Sequence, residues 1–168
     1  MTAIYGMKGE NGRRLSRPLL SAAVGLAWGW RGTPELVFSP RGKPGFARAG
    51  HWLSLSHSGG YALCALSDEG AVGVDIEVVR PHREGLAEYA MTPAELREHD
   101  GTWEDFCRVW TLKEAWSKRE DTPLFPPGAV ETPPPCPWRS YAGADWRAAV
   151  CCRGTPPADI LWLAPGKG

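Results

Sequence analysis

The sequence predicts an α+β domain in which antiparallel strands pack against a long helix and two similar halves share a core. Three observations carry this. Apolar residues recur at three and four residue spacings over 13–30 and again over 103–119. Between these stretches, strand-like runs are punctuated by glycine turns, and further short runs of the same kind close the chain. The order helix, strands, helix, strands divides the 168 residues into approximate halves 1–75 and 76–168 of a single domain, a length that suits one shared core.

Ala3-Ile4-Tyr5 reads as an edge strand, followed by a turn through Gly9, Asn11 and Gly12. Leu15, Leu19, Ala22, Ala23, Leu26 and Trp30 then mark an amphipathic helix over 13–30, with Pro18 expected in its first turn. Leu36-Val37-Phe38 is a short strand, and residues 39–45 form a loop with a cationic tip. Residues 52–56 alternate, His57-Ser58-Gly59-Gly60 is read as a turn, and 61–66 is the next strand. A turn at 67–70 leads to a strand over 71–79, so the three strands are expected to form an antiparallel meander.

Residues 84–89 are weakly helical. Thr92-Pro93-Ala94-Glu95 has the pattern of a capping box, which opens a short helix. Thr102 repeats the start signal for a long helix that should run to Lys118 or Arg119, before Thr122-Pro123 stops it. Seven prolines between 123 and 137 make a polyproline-like connector, with at most a brief strand near Ala129-Val130. Residues 146–152 and 160–164 are the last two strands.

Composition narrows the function classes. Lys and Arg total 19, as do Asp and Glu, so no global field favours nucleic acid or an anionic membrane, and neither is expected as a partner. The five cysteines are odd in number and lack CxxC spacing, which fits reduced thiols and no zinc site. No apolar run approaches the roughly 18 residues of a membrane span, and a cytoplasmic protein is expected.

Three clusters carry chemistry. On a strand over 71–79, Asp75 and Glu77 share a face while Val74, Ile76 and Val78 share the other. Two close carboxylates raise each other's pKa, and a hard divalent cation relieves them. An ordinary solvated acidic face is the simpler account of that strand alone. On the long helix, Trp103, Cys107, Trp110 and Glu114 form a stripe, which turns Glu114 toward the core side with Lys118 one turn on and Lys113 beside it. A plain Glu114-Lys118 surface pair, worth only about 0.3 to 0.5 kcal/mol, competes with a functional reading. Ser56-His57-Ser58-Gly59 offers hydroxyls, an imidazole and turn amides to an anion, while Lys43 and the basic helix start at Arg13, Arg14 and Arg17 add cations. No G-x-S-x-G elbow, Walker loop or kinase signature is present.

Gly42-Lys43-Pro44, Leu53-Ser54-Leu55-Ser56-His57-Ser58-Gly59, Gly73-Val74-Asp75-Ile76-Glu77 and Trp110-Thr111-Leu112-Lys113-Glu114-Ala115 with Lys118 resemble, in order and spacing, the 4'-phosphopantetheinyl transferase superfamily. The likeness is to its longer monomeric class, a pseudo-dimer of two related halves. The resemblance implies transfer of the phosphopantetheine arm of coenzyme A to a serine of an apo carrier protein, releasing adenosine 3',5'-bisphosphate. It implies Asp75, Glu77 and Glu114 as magnesium ligands, with Glu114 also a base for the carrier serine. Lys118, and less centrally Lys113, would stabilise the pyrophosphate. Lys43, Ser56, His57 and Arg17 would hold the nucleotide end of coenzyme A. Glu95 matches a family acid, but its capping role explains it.

Two departures qualify the likeness. Only 41 residues precede Gly42, so a shortened N-terminus is expected. Arg119-Glu120-Asp121-Thr122-Pro123-Leu124 stands where the family has Gly-x-Gly-Leu. These departures motivate an alternative, a coenzyme A or carrier-protein binding module with little turnover. Another magnesium phosphotransferase or nucleotide hydrolase is the third option.

Overall fold

A computed structural model describes residues 1–165. Strand β1 (Thr2–Lys8) lies inside a four-stranded sheet, between the strands at 61–67 and 161–163 with 52–58 outermost, not at its edge as expected. The reason is the distant strand β9 (Leu161–Leu163), which pairs parallel to β1 with Gly6 opposite Trp162. A Cβ on Gly6 would sit 2.6 Å from the Trp162 ring, so the glycine makes room for the indole.

Helix α1 (Gly12–Trp28) is capped by Asn11, whose side chain accepts from Arg14 N. It ends at Gly29, whose φ of 68° lets its N–H reach the Gly25 carbonyl. Pro18 lies in the second turn of this helix rather than the first, with its ring exposed. Leu19, Leu20, Ala23 and Val24 on the opposite face are buried against the sheet.

Strands β2 (Leu36–Phe38) and β3 (Pro44–Phe46) form a separate hairpin, so the expected loop over 39–45 is loop only as far as Lys43. Strands β4 (Trp52–Ser58) and β5 (Tyr61–Ser67) pair antiparallel around Gly59-Gly60. His57 and Ser58 therefore belong to the strand, opposite Ala62 and Tyr61, and not to the turn. The meander stops there. Strand β6 (Gly73–Val78) pairs with β8 (Trp146–Cys151), and β8 with β7 (Trp138–Ala142), giving a second antiparallel sheet. Strand β7 escaped the sequence reading because Trp138, Arg139 and Ala142 are exposed and the run has no apolar alternation.

Between β6 and β8 lie α2 (Leu86–Ala90), α3 (Pro93–Glu98), α4 (Trp103–Glu120) and a 3-10 turn at Pro127–Ala129 in place of the brief strand. The capping box holds as read: Thr92 accepts from Glu95 N, and Glu95 accepts from Thr92 N. Thr102 caps α4 by accepting from Asp105 N.

The layers follow from the faces. Helix α1 covers one face of the first sheet through Tyr5, Met7, Leu53, Ala62 and Cys64. The other face meets the second sheet, where Ile4, Leu63 and Ala65 pack on Val74, Ile76 and Val150. Helix α4 closes the far side over Ala149 and Cys151. The α+β class is as expected, but a division between residues 75 and 76 would cut β6, and β9 returns to the first sheet.

Gly73 sets the distance between α4 and β6. A Cβ there would lie 2.0 Å from Ala115 O and 2.5 Å from Arg119 N, both backbone atoms that cannot rotate aside. Gly73→Ala should therefore cost about 1 to 3 kcal/mol of overpacking strain. Urea unfolding measures it, and a midpoint equal to that of the parent protein would contradict this packing.

Candidate metal and phosphate site

Where the two sheets meet, β4 lies along β6 without a backbone ladder. Instead Ser54, Ser56 and Ser58, alternate residues on one face of β4, accept from the β6 amides of Val74, Ile76 and Val78 at 3.0, 3.3 and 3.1 Å. A hydroxyl has a proton left to donate after accepting. Ser56 Oγ donates to Asp75 Oδ1 and Ser58 Oγ to Glu77 Oε2, each at 2.7 Å. The serine row thus holds both the strand and its acids.

Helix α4 brings the remaining groups. Lys118 Nζ lies 2.6 Å from Asp75 Oδ1 and 3.2 Å from Ser56 Oγ. Asp75 is buried, and its second oxygen, Oδ2, has no hydrogen-bond partner among the described residues. Burial and the Asp75 charge push the carboxyls of Glu77 and Glu114 above their ordinary range, while the Lys118 ammonium pulls both back. The three acids thus share one electrostatic neighbourhood, although their oxygens do not all lie within 4.8 Å of one another. An orphaned buried carboxylate oxygen among crowded acids fits a hard cation, for which oxygen donors are the preferred ligands.

Beside this group a cleft of about 550 Å³ is lined by Arg41, Lys43, Ser54, Leu55, Lys118 and Asp121 among others. Lys43 Nζ donates to Arg119 O at 3.3 Å and Arg41 donates to Asp121 O, so both cations also satisfy carbonyls at the C-terminal end of α4. Burial lowers the Lys43 pKa. Arg17 lines a neighbouring groove with Arg13 and Phe38, which meets the cleft at Leu55. His57 is exposed on β4 and makes no side-chain hydrogen bond among the described residues. Ser56 points to Asp75 rather than into the nucleotide-holding role expected of it.

Lys113 is a correction. Expected at a pyrophosphate, it is fully buried, pairs with Glu95 Oε2 at 2.7 Å, and donates to Ala90 O at 2.8 Å and Pro127 O at 3.0 Å. Its neighbour Glu114 faces the seam, and adjacent helix positions point about 100° apart. Glu95 does more than cap: its Oε1 also accepts from Thr132 N and Oγ1, and the Lys113 bond, with those from Thr132 and Thr92, holds its carboxyl below the ordinary range despite burial. Ser58, expected only as a hydroxyl in an anion pocket, instead holds Glu77, and Arg41 went unassigned in the sequence. The Ser54, Ser56, Ser58 alternation was the available signal for Ser58, whereas nothing local marked Arg41.

Among the described residues, no helix is long and apolar enough to cross a membrane. Residues 71–151 match the family model described as the 4'-phosphopantetheinyl transferase superfamily. Over 96 residues the chain is 44% identical to 4'-phosphopantetheinyl transferase AcpT of Salmonella typhimurium, covering 51% of this chain and 49% of that protein. It is 43% identical over 94 residues to AcpT of Escherichia coli, covering 51% and 48%. Against 4'-phosphopantetheinyl transferase HetI of a Nostoc species it is 35% identical over 118 residues, covering 64% and 48%. The chain spans about half the length of these curated relatives.

Lys113→Met should destabilise the protein by about 3 to 5 kcal/mol, because Glu95 is left as a buried unpaired charge. Adding Glu95→Gln to that variant should recover part of the loss in denaturant titrations; no recovery would mean that the pair is not the source. The raised carboxyls make a pH prediction. Glu114 holds its proton more tightly folded than unfolded, so its penalty is absent below the ordinary carboxylate pKa and grows as pH rises through the raised value. Glu114→Gln should then be more stable than the parent at neutral pH, with the advantage vanishing below about pH 4. Melting curves across that range test the sign.

Proposed function

We propose, from the match of residues 71–151 to the 4'-phosphopantetheinyl transferase superfamily model, that this protein transfers the 4'-phosphopantetheine arm of coenzyme A to a serine of an apo acyl or peptidyl carrier protein, with magnesium. The observation that carries the reading is the buried Asp75 Oδ2, without a partner among the described residues, in the neighbourhood of Glu77 and Glu114 and one hydrogen bond, through Lys118, from a cleft lined by cations. Asp75, Glu77 and Glu114 would hold the ion, which when bound supplies Lewis-acid charge to the pyrophosphate.

The chain's own groups account for the remaining requirements. Lys118 and Lys43 line the cleft and offer ammonium groups to phosphate oxygens, while exposed His57 and Arg17 stand ready for the nucleotide end. Glu114, with its carboxyl raised by burial and the Asp75 charge, suits the base that takes the proton of the carrier serine. The serine oxygen then forms a bond to the phosphorus that bears pantetheine, and the bond from that phosphorus to the bridging oxygen breaks. Adenosine 3',5'-bisphosphate leaves. The pseudo-dimer reading of the fold is supported by α1 on three antiparallel strands and α4 on three more. A monomer working in the cytoplasm is the matching expectation.

A second reading, binding of coenzyme A or a carrier with little turnover, is favoured by one observation: Lys118 Nζ already occupies Asp75 Oδ1. Transfer separates the two. Incubating the protein with coenzyme A, magnesium and apo carriers of fatty acid, polyketide and peptide types should add the arm's mass to at least one carrier. Asp75→Ala should lower that turnover by several orders of magnitude, and His57→Ala should mainly raise KM for coenzyme A. Calorimetric binding of coenzyme A without any transfer would favour the binding module, and near-normal turnover of the Asp75 variant would remove the metal assignment.

A further inference from the structure

Two thiols meet beneath the last turns of α4. Cys151 ends β8 opposite Gly73 and packs with Ala149, Leu112 and Ala115 in the layer that α4 covers. Cys136, at the end of the proline-rich connector, is half-buried against the same layer. The backbone holds the connector there: Cys152 N donates to Pro137 O at 3.0 Å, and Trp138 is the register partner of Cys151. Both side chains pack into the same layer under α4, Cys136 against the cluster that holds Cys151. The Arg119 guanidinium acts on both sulfurs, and its Nε is buried with no partner among the described residues.

We propose that Cys136 and Cys151 are a reversible dithiol–disulfide pair, in which Cys136 meets a soluble disulfide oxidant and Cys151 resolves the product. The asymmetry is built in. Cys136 is half-buried with the Arg119 charge nearby to favour its thiolate, whereas Cys151 is buried, which disfavours its charged form. Only Cys136 of the five cysteines is not buried. With glutathione disulfide as oxidant, the Cys136 thiolate attacks one sulfur, the S–S bond breaks and one glutathione thiolate leaves to take a proton from water. Cys151 then loses its proton to solvent, its sulfur attacks that of Cys136, and the second glutathione thiolate departs. The protein gives up two electrons and two protons, and the glutathione disulfide is reduced to two thiols.

Cys152 is not the resolving partner. Adjacent strand residues point to opposite faces, and Cys152 lies in the core between the sheets, with its thiol donating to Gly154 O at 3.2 Å. The pair also touches the site indirectly, since Arg119 follows Lys118 and its backbone N approaches Gly73.

The test is incubation of the full chain with glutathione disulfide, thiol titration after denaturation, and peptide mapping without reductant. Two of the five thiols should disappear, one intrachain Cys136–Cys151 link should be found, and dithiothreitol should restore all five. Cys136→Ser should abolish the link and Cys152→Ser should leave it intact. Five persistent thiols, a stable glutathione adduct on Cys136, or a link to Cys152 would overturn the proposal. Thiol counts do not depend on transfer activity, so this result stands apart from the functional reading.

Discussion

The structure depends on a row of serine hydroxyls that replaces a strand ladder. Because β6 pairs with β8 on one side only, its other amides would be unsatisfied where β4 approaches. Ser54, Ser56 and Ser58 accept from three of them. A buried amide without a partner costs about 1 to 3 kcal/mol, so three such bonds decide how the sheets abut. The spare protons of Ser56 and Ser58 then go to Asp75 and Glu77, which fixes both carboxylates relative to the backbone that carries them.

The electrostatics follow from that arrangement. Two acids on one strand and a third on α4 are brought together with Lys118 as their nearby cation, and the crowding shows in the raised carboxyls of Glu77 and Glu114. The second helical lysine does not relieve them. Lys113 is committed to Glu95, where it ties α4 to the start of α3 and to the connector carbonyl of Pro127. Five residues apart on α4, one lysine serves the core and the other serves the cleft.

Much of this was legible in the sequence, for identifiable reasons. Period marked α1 and α4 and caps marked α3 and α4, since Thr92 and Thr102 act locally on amides three residues away, whereas Asn11, read only as a turn residue, proves to cap α1. Alternation placed Asp75 and Glu77 on one face of β6. Pairing partners were not legible: β6 looked like a continuation of β4 and β5, yet its partner β8 lies some seventy residues on. The placement of β1 likewise needed β9, from the far end of the chain.

Local rules, then, determined from the chain alone the α+β class, the long helix and which acids could share a face, because helix periodicity and strand alternation are properties of neighbouring residues. Tertiary structure decided which lysine reaches the acids, that Ser56 holds Asp75, and that the expected edge strand lies inside its sheet. These choices turn on contacts between segments distant in sequence, where burial and the need to satisfy each polar group select one partner among several that the local pattern leaves equivalent.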